Sequence, residues 1–173
     1  LKDLLAALSH AHSRGLVHRD LPPGNILFAG PQDVRPGLRI TDFGIAHALV
    51  GEEADEDSES HSGTVAYMSP EQAQGRPVDP RSDLYALGIV LYEMLLGRPP
   101  FSGDSPLAVA YQHVQEGPPP LRAAGAAVAE SLEAITLKLL AKNPVNRYPP
   151  AEDLRSALRR YREGAHDLRP PTS

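Results

Sequence analysis

Apolar residues repeat at helical spacing at the start of the chain and again in its middle. Near the start, leucines recur every three or four positions, and these are Leu1, Leu4, Leu5 and Leu8. The spacing predicts an amphipathic helix with one buried face, and Gly15 predicts that this helix ends before His18. From Asp83 to Leu96 almost no polar face is left, which predicts a helix buried on all sides and forming the core.

Short strand-like runs and helix-start signals complete the predicted elements. Ile26 to Phe28 and Leu38 to Thr41 flank a loop rich in Gly and Pro, which predicts a small hairpin. Ser69 to Gln72 supplies a hydroxyl cap, a proline at the first helical position and a glutamine three residues after the cap. Similar signals stand at Ser105-Pro106 and Pro149-Pro150. The fold class predicted is α+β and mostly α.

Two stretches lack apolar periodicity. Residues 46 to 63 carry a dense run of carboxylates, whose mutual repulsion predicts a mobile loop; the run comprises Glu52, Glu53, Asp55, Glu56, Asp57 and Glu59. Residues 164 to 173 contain Pro170 and Pro171 and predict a linker or tail. We therefore expect one domain over residues 1–162 and a proline-containing tail over residues 163–173.

Composition narrows the class of protein. The chain has 173 residues, 41% of them hydrophobic, which is enough for one domain with a core. A net charge of -5 argues against nucleic-acid binding, and the late cluster Arg155, Arg159, Arg160 and Arg162 is interpreted as a solvated helix face. The absence of cysteine excludes disulfides and thiol catalysis and fits a reducing compartment.

The best apolar run is too short for a membrane span because Glu93 interrupts it. We expect a cytoplasmic domain without membrane contact, and a membrane anchor beyond Ser173 in the full-length protein stays open. The chain opens on Leu1 with a helical pattern already in progress, so it is expected to be part of a longer protein.

Two motifs carry candidate chemistry. His18-Arg-Asp20-Leu-Pro22-Pro-Gly-Asn25 precedes an apolar strand, and Thr41-Asp42-Phe43-Gly44 follows it. In this order and spacing, the pair resembles the catalytic loop and the D-F-G motif of protein kinases. Either motif alone would be weak, since acids and asparagines are common in turns, but together they are specific. The resemblance implies the C-terminal lobe of a protein kinase.

The same resemblance implies a role for each polar residue and names ATP and Mg2+ as cofactors. Asp20 would orient and deprotonate the hydroxyl of a protein substrate. Asn25 and Asp42 would hold Mg2+ against the phosphates of ATP. His18, Phe43 and Gly44 would be structural parts of the two motifs.

Residues 63–71, Gly-Thr-Val-Ala-Tyr-Met-Ser-Pro-Glu, resemble the end of a kinase activation loop. By resemblance, Thr64 faces the catalytic aspartate and marks a preference for Ser and Thr acceptors. Asp83 would accept hydrogen bonds from the catalytic-loop backbone, and Arg147 would form an ion pair with Glu71. Residues 62–101 are especially similar to bacterial eukaryotic-like (Hanks-type) serine/threonine kinases.

Arg19, directly before Asp20, implies regulation by a phosphorylated activation loop, with Ser58, Ser60 and Ser62 as candidate acceptors. The neighbouring acids could instead mimic phosphate or only solvate the loop. The resemblance also leaves open a dimer formed through the kinase domain.

Two features depart from the family pattern. Upstream of the first helix the family has a Gly-rich loop and a strand lysine, and neither stands in these 173 residues, so the chain alone is expected to be inactive. Pro22 occupies the position of the catalytic-loop lysine and brings neither charge nor N–H. Three readings stay open: an impaired kinase, a kinase with another compensating cation, and a sequence error. A pseudokinase-like interaction scaffold is the alternative function.

Overall fold

A computed structural model describes residues 2–30, 37–43, 65–149 and 151–167 of the chain. The helices are α1 (Lys2–His12), α2 (Pro70–Ala73), α3 (Pro80–Leu96), α4 (Pro106–Gln115), α5 (Glu130–Leu139) and α6 (Ala151–Asp167). Short 3-10 turns cover Pro23–Asn25 and Pro144–Asn146, and the strands are β1 (Ile26–Phe28) and β2 (Leu38–Ile40). The predicted fold class, mostly helical with one small antiparallel hairpin, is confirmed.

Helix α3 is the centre of the domain. Its residues from Ser82 to Tyr92 are all buried, as the nearly continuous apolar pattern predicts. One side of α3 packs with α1, α5 and α6 around Leu84 and Leu87, and another packs around Tyr85 and Ile89. The two clusters make α3 the element against which the rest of the chain is arranged.

Helices α3 and α5 approach each other closely at Gly88. A Cβ atom added at Gly88 would lie 2.8 Å from the Cβ of Leu139 and 3.0 Å from a methyl group of Leu140. The first distance is shorter than real Cβ contacts and the second is unusually tight, so glycine allows this packing and a larger residue would force the helices to shift.

Helix α3 begins earlier than its apolar pattern predicts. The cap is Asp79, whose side chain accepts a hydrogen bond from the backbone N–H of Arg81, and Pro80 is the first helical residue. Asp83, expected to open the helix, therefore lies in its first turn. The helix ends at Gly97, which has a φ of 81° and can adopt the left-handed conformation without strain from a Cβ atom.

Helix α6 runs to Asp167, five residues past the domain boundary expected at residue 162. Gly164 costs a helix only about 1 kcal/mol, and the residues around it favour helix, so it does not end α6. Residues 163–167 are thus helical, and residues 168–173 lie outside the described part. The division into a domain and a tail stays a prediction.

The hairpin places the two candidate motifs side by side. Ile26 pairs with Ile40, and Phe28 pairs with Leu38, in an antiparallel register. The outer surface of β1 is open, with Phe28 85% exposed.

Among the described residues, no helix combines the length and the apolar character that a membrane span requires.

Candidate active site

The buried carboxylate of Asp83 holds the segment that leads into Asp20. It accepts hydrogen bonds from the backbone N–H groups of His18 (2.8 Å) and Arg19 (2.9 Å), as predicted. The ring of His12 contacts the same carboxylate through Nε2 at 2.7 Å. Since Asp83 is only 1% exposed, these three partners supply the contacts that burial takes from water.

The ring of His18 ties the two motifs together. Its Nδ1 accepts a hydrogen bond from the backbone N–H of Asp20 at 3.2 Å, and its Nε2 lies 2.7 Å from the carbonyl oxygen of Thr41. Both contacts are satisfied when the hydrogen is on Nε2, so the network selects that tautomer. The ring also packs against Phe43, with 4.5 Å between centroids. Asp42, between Thr41 and Phe43, is therefore fixed relative to Asp20.

Two non-glycine residues of these motifs have left-handed backbone conformations. The φ angle is 70° at Arg19 and 57° at Asp42. Such a conformation costs of the order of 1–3 kcal/mol and persists only where the surroundings impose it. Here the contacts of Asp83 and His18 impose it. No other described residue besides glycine has a positive φ.

Hydrogen bonds hold the backbone of Asp20, while one oxygen of its carboxylate has no partner in the part of the chain that the structure describes. Its carbonyl oxygen accepts a hydrogen bond from the side-chain Nδ2 of Asn25 at 3.0 Å. Its Oδ1 atom is buried and has no hydrogen-bond partner among the described residues. A buried acceptor without a partner is costly, and it marks a position where a ligand can supply the missing contact.

Asn25 and Asp42 fit a magnesium site. The Nδ2 atom of Asn25 is engaged by Asp20, so the amide presents its other arm, the oxygen. Asp42 is exposed and adds a carboxylate. Amide and carboxylate oxygens are the ligands that Mg2+ prefers, and Mg2+ usually keeps only one or two protein ligands beside water and phosphate. No cluster of three His, Asp or Glu residues suited to a metal occurs within the described residues.

Pro22 keeps a backbone role in the catalytic loop. Its carbonyl oxygen accepts a hydrogen bond from the backbone N–H of Asn25 at 3.0 Å, which closes the 3-10 turn. The three lysines of the chain lie elsewhere: Lys2 begins α1, Lys138 lies over the ring of Tyr148, and Lys142 contacts the end of α4. None of them supplies the cation that Pro22 lacks.

Glu71 and Arg147 form the predicted buried pair. The Nη1 and Nη2 atoms of Arg147 donate to the two carboxylate oxygens of Glu71 at 2.7 and 2.8 Å. Ser82 donates a third hydrogen bond to Glu71 at 2.6 Å. Burial alone would raise the pKa of Glu71, but the hydrogen bonds from Arg147 and Ser82 outweigh it and hold that pKa below its ordinary value.

Helix α2 joins this pair to the catalytic loop. Ser69 and Gln72 form a reciprocal capping box, as the sequence predicts. The Nε2 atom of Gln72 also donates to the carbonyl oxygen of Arg19 at 2.7 Å. The end of the activation segment therefore contacts the residue that precedes Asp20.

Sequence reasoning missed a contact between Tyr67 and Glu93. The hydroxyl of Tyr67 donates to Oε2 of Glu93 at 2.6 Å, and burial and this carboxylate raise the pKa of Tyr67. The two residues are 26 positions apart, and Glu93 stands out in the sequence only as the interruption of an apolar run. The sequence does place an acid in an otherwise apolar helix, and a buried acid usually has a partner, so Glu93 could have been predicted to bind a polar residue.

A second polar cluster, around His113, also escaped prediction. Its Nδ1 lies 2.9 Å from the hydroxyl oxygen of Tyr85, and the ring packs edge-on against Phe101. Burial, and then the neighbouring charge of Lys142, lower the pKa of His113 to about 4. Lys142 donates to the carbonyl oxygens of Gln112 and His113, and burial lowers its pKa to about 8.

Several predicted site residues lie outside the described residues. These are Gly44, Thr64 and the candidate phosphorylation sites Ser58, Ser60 and Ser62. Their roles stay predictions. The structure does bring together His18, Asp20, Asn25 and Phe43, with Asp42 next to Phe43 in the chain, and it connects Arg19 to Asp83 and Gln72.

Comparison with known proteins identifies the family of this chain. A family model for the protein kinase domain matches residues 1–157. The chain belongs to the protein kinase family.

Three relatives of this chain within the family come from bacteria. The chain is 48% identical to the serine/threonine-protein kinase PknB of Mycolicibacterium smegmatis over 166 residues, which are 95% of this chain and 26% of the relative. It is 46% identical to PknB of Mycobacterium leprae over 94% of this chain and 25% of the relative. A probable PknB of Bifidobacterium longum is 46% identical over 93% of this chain and 23% of the relative. The chain thus spans about a quarter of the length of these curated relatives.

Proposed function

We propose that this kinase-family chain is the C-terminal lobe of a serine/threonine protein kinase. Joined to an N-terminal lobe, it transfers the γ-phosphoryl group of ATP to Ser or Thr hydroxyls of protein substrates. The observation that carries the proposal is the buried, unpartnered Oδ1 of Asp20. The described hydrogen bonds of Asp20 use its backbone, and a substrate hydroxyl could supply the partner that Oδ1 lacks.

Asp20 is the general base in this proposal. Its carboxylate accepts the hydrogen bond of the acceptor hydroxyl and takes the proton as the oxygen attacks phosphorus. The two contacts to its backbone keep the carboxylate in one place, which supplies the orientation that phosphoryl transfer depends on. Thr64, outside the described residues, is proposed to face Asp20 and favour Ser and Thr acceptors.

Asn25 and Asp42 hold the metal. Mg2+, when bound, neutralises the charge of the phosphate oxygens. Asn25 contributes an amide oxygen and Asp42 a carboxylate, and the contact between His18 and Thr41 keeps the two loops in register. Arg19 and the serines at 58, 60 and 62 form the proposed regulatory set, in which a phosphorylated serine pairs with the guanidinium.

The test uses a chimera in which this chain replaces the matching part of the M. smegmatis relative. We expect the chimera to transfer labelled phosphate from ATP to a protein containing Ser and Thr. Asp20→Asn should lower the rate by up to about 10⁴-fold, because the base is lost while the shape is kept. Asp153→Asn, an exposed residue of α6, is the matched control and should change nothing.

Transfer that survives Asp20→Asn would contradict the assigned base. If neither the chimera nor its Pro22→Lys variant transfers phosphate to any protein, the enzymatic proposal fails. The alternative, a pseudokinase-like scaffold, would then be favoured by the missing cation at Pro22.

We further propose that the 173-residue chain by itself is inactive. The open surface of β1, with Leu27 and Phe28 exposed, offers one wall for an adenine ring and no opposing wall among the described residues. Calorimetric titration of the chain with Mg-ATP should show no binding in the micromolar range. Micromolar affinity would contradict this part of the proposal, while the chimera assay would still test the catalytic part.

A further inference from the structure

A histidine at the end of α1 contacts the aspartate that holds the catalytic loop. The Nε2 atom of His12 lies 2.7 Å from Oδ2 of Asp83, which is 71 residues further along the chain. Both side chains are buried, with 9% of His12 and 1% of Asp83 exposed. The phosphoryl transfer proposed above assigns no part to His12, so this contact needs its own explanation.

The contact requires a hydrogen on Nε2 of His12. The carboxylate of Asp83 accepts hydrogen bonds from the backbone N–H groups of His18 and Arg19, so it is the acceptor in this network. An imidazole nitrogen without a hydrogen would place its lone pair against the carboxylate oxygen and repel it. His12 is therefore the donor, and its hydrogen bond to a charged acceptor is stronger than one between neutral groups.

The two oxygens of Asp83 have different partners. Oδ1 accepts a hydrogen bond from the backbone N–H of Arg19, whereas Oδ2 accepts from His18 and His12. Rotation of the carboxylate about its Cβ–Cγ bond would break the contact with His12, so this contact keeps Oδ1 directed at Arg19. Arg19 needs such a restraint, because its φ of 70° is a conformation that residues other than glycine rarely adopt.

The same carboxylate joins the two ends of the turn between α1 and the catalytic loop. Helix α1 ends at His12, whose carbonyl oxygen accepts a hydrogen bond from the backbone N–H of Gly15 at 3.0 Å. Gly15 turns the chain with a φ of 73°, and the chain then returns to Asp83 at His18. Asp83 therefore binds both the last residue of α1 and the segment that leads into Asp20.

We propose that His12 is a positioning residue for the catalytic base and acts through Asp83 and the backbone of Arg19. The proposal rests on the proposed function, because it requires Asp20 to be the base. Without the hydrogen bond from His12, the carboxylate of Asp83 can rotate and the backbone before Asp20 can relax. A displaced base slows the chemical step while the binding of ATP and of the protein substrate is kept.

The test measures kcat and KM of the chimera, or of its Pro22→Lys form if only that form is active. His12→Phe keeps a buried ring and removes the donor. We expect kcat to fall about tenfold, the loss expected for one hydrogen bond to a charged group, while KM for ATP and for the protein substrate changes by less than about twofold. His12→Gln restores an N–H donor and should recover most of the lost rate.

Leu8→Ala is the matched control for a general weakening of α1. Leu8 is buried on the same helix, one turn before His12. The substitution removes buried volume, so it should lower the unfolding temperature, but it should change kcat by less than about twofold. Thermal melting by circular dichroism shows that each variant is folded at the assay temperature.

A second measurement needs neither a variant that folds nor activity. Long-range 1H–15N NMR spectra of the wild-type chain distinguish the ring nitrogens of histidine that carry a hydrogen from those that do not. His12 should carry a hydrogen on Nε2.

Four results would overturn the proposal. An unchanged kcat in His12→Phe would show that the contact does not act on the base. An equal fall in Leu8→Ala would show a general effect of destabilising α1. No recovery in His12→Gln would show that the ring matters and not the donated hydrogen. A bare Nε2 in the wild-type chain would remove the donor. Inactivity of both the chimera and its Pro22→Lys form would instead overturn the proposed function, and this proposal with it.

Discussion

Arg147 and Asp20 are both charged and both held by hydrogen bonds, but in opposite ways. All five N–H donors of Arg147 are used, by both oxygens of Glu71 and by the backbone carbonyls of Arg81, Ala141 and Lys142. Asp20 has two hydrogen bonds to its backbone, and the buried Oδ1 of its carboxylate has no partner among the described residues.

The difference separates a group that holds the fold from a group kept for chemistry. A buried charge is tolerated when every lone pair and proton has a partner, and Arg147 meets that condition. Asp20 violates it, and the backbone strain at Arg19 and Asp42 lies beside the same residue. Unsatisfied and strained groups concentrate where a ligand will act. Variants of each region should therefore fail in different measurements.

The largest effect on folding is expected from Arg147→Ala. The substitution leaves the carboxylate of Glu71 buried without its partner, and we expect the free energy of unfolding to fall by about 3–5 kcal/mol. Chemical denaturation of the chain measures it. Arg122→Ala is the control, since that side chain is 51% exposed and should contribute less than about 0.5 kcal/mol. An unchanged denaturation midpoint for Arg147→Ala would show that Arg147 does not stabilise the fold, and the contrast with Asp20 would fail.

His113 should make folding stability depend on pH. Its pKa is about 4 in the folded protein and 6.5 in a solvated reference state. Between these values the unfolded chain binds more protons, so stability is full above pH 6.5 and falls as pH drops towards 4. The loss is up to about 3 kcal/mol.

The check is to compare denaturation curves of the wild type and His113→Asn across this pH range. The variant keeps a polar group near Tyr85 but cannot titrate. The pH dependence of its unfolding free energy should therefore lack the part that His113 contributes. His10→Asn alters an exposed histidine and should keep the wild-type slope. Identical slopes for wild type and His113→Asn would refute the assignment.

Pro22→Lys tests whether the catalytic region lacks a single cation. In the chimera we expect the turnover number to rise by about 10²-fold, more than the Michaelis constant for ATP falls. A cation there would stabilise charge that reorganises in the transition state, whereas ground-state ATP has other contacts. Pro22→Gln removes the proline without adding charge. If Gln accelerates transfer as much as Lys, backbone restriction is the defect rather than missing charge.

The smallest effect is expected from Gly88→Ala in the packed core. The added methyl group would meet Leu139 and Leu140, and we expect a loss of about 1–3 kcal/mol in unfolding free energy. Gly164→Ala in α6 meets no atom within 4 Å and should be neutral or stabilise by up to about 1 kcal/mol. Equal effects of the two substitutions would show that helix propensity, not contact, decides at Gly88.

Local signals were the most predictable part of this protein. The capping box at Ser69 depends on residues within one helical turn, and the burial of α3 follows from its own apolar pattern. The contacts of Asp83 and Arg147 came from the family resemblance, since 65 and 76 residues separate the partners.

Contacts between distant residues without a motif were not predictable. Tyr67 and Glu93, or Tyr85 and His113, meet only because α3 brings its neighbours together. A single buried histidine carries no sequence signal of its burial. The start of α3 was misplaced because Asp79 and Asp83 are both acceptable helix-start acids, and only the backbone distinguishes a cap from a first-turn anchor.

The side chain of Gln72 has a further consequence. Its oxygen accepts from the backbone of Ser69, and its nitrogen donates to the carbonyl of Arg19. Glutamate is an equally good capping residue at this place in a helix. It has no hydrogen to donate, however, and would set a negative oxygen against the carbonyl of Arg19. Glutamine and glutamate are interchangeable for starting a helix, but they are not interchangeable here. Only glutamine has an NH2 group that can donate to the carbonyl oxygen of Arg19 in the catalytic loop.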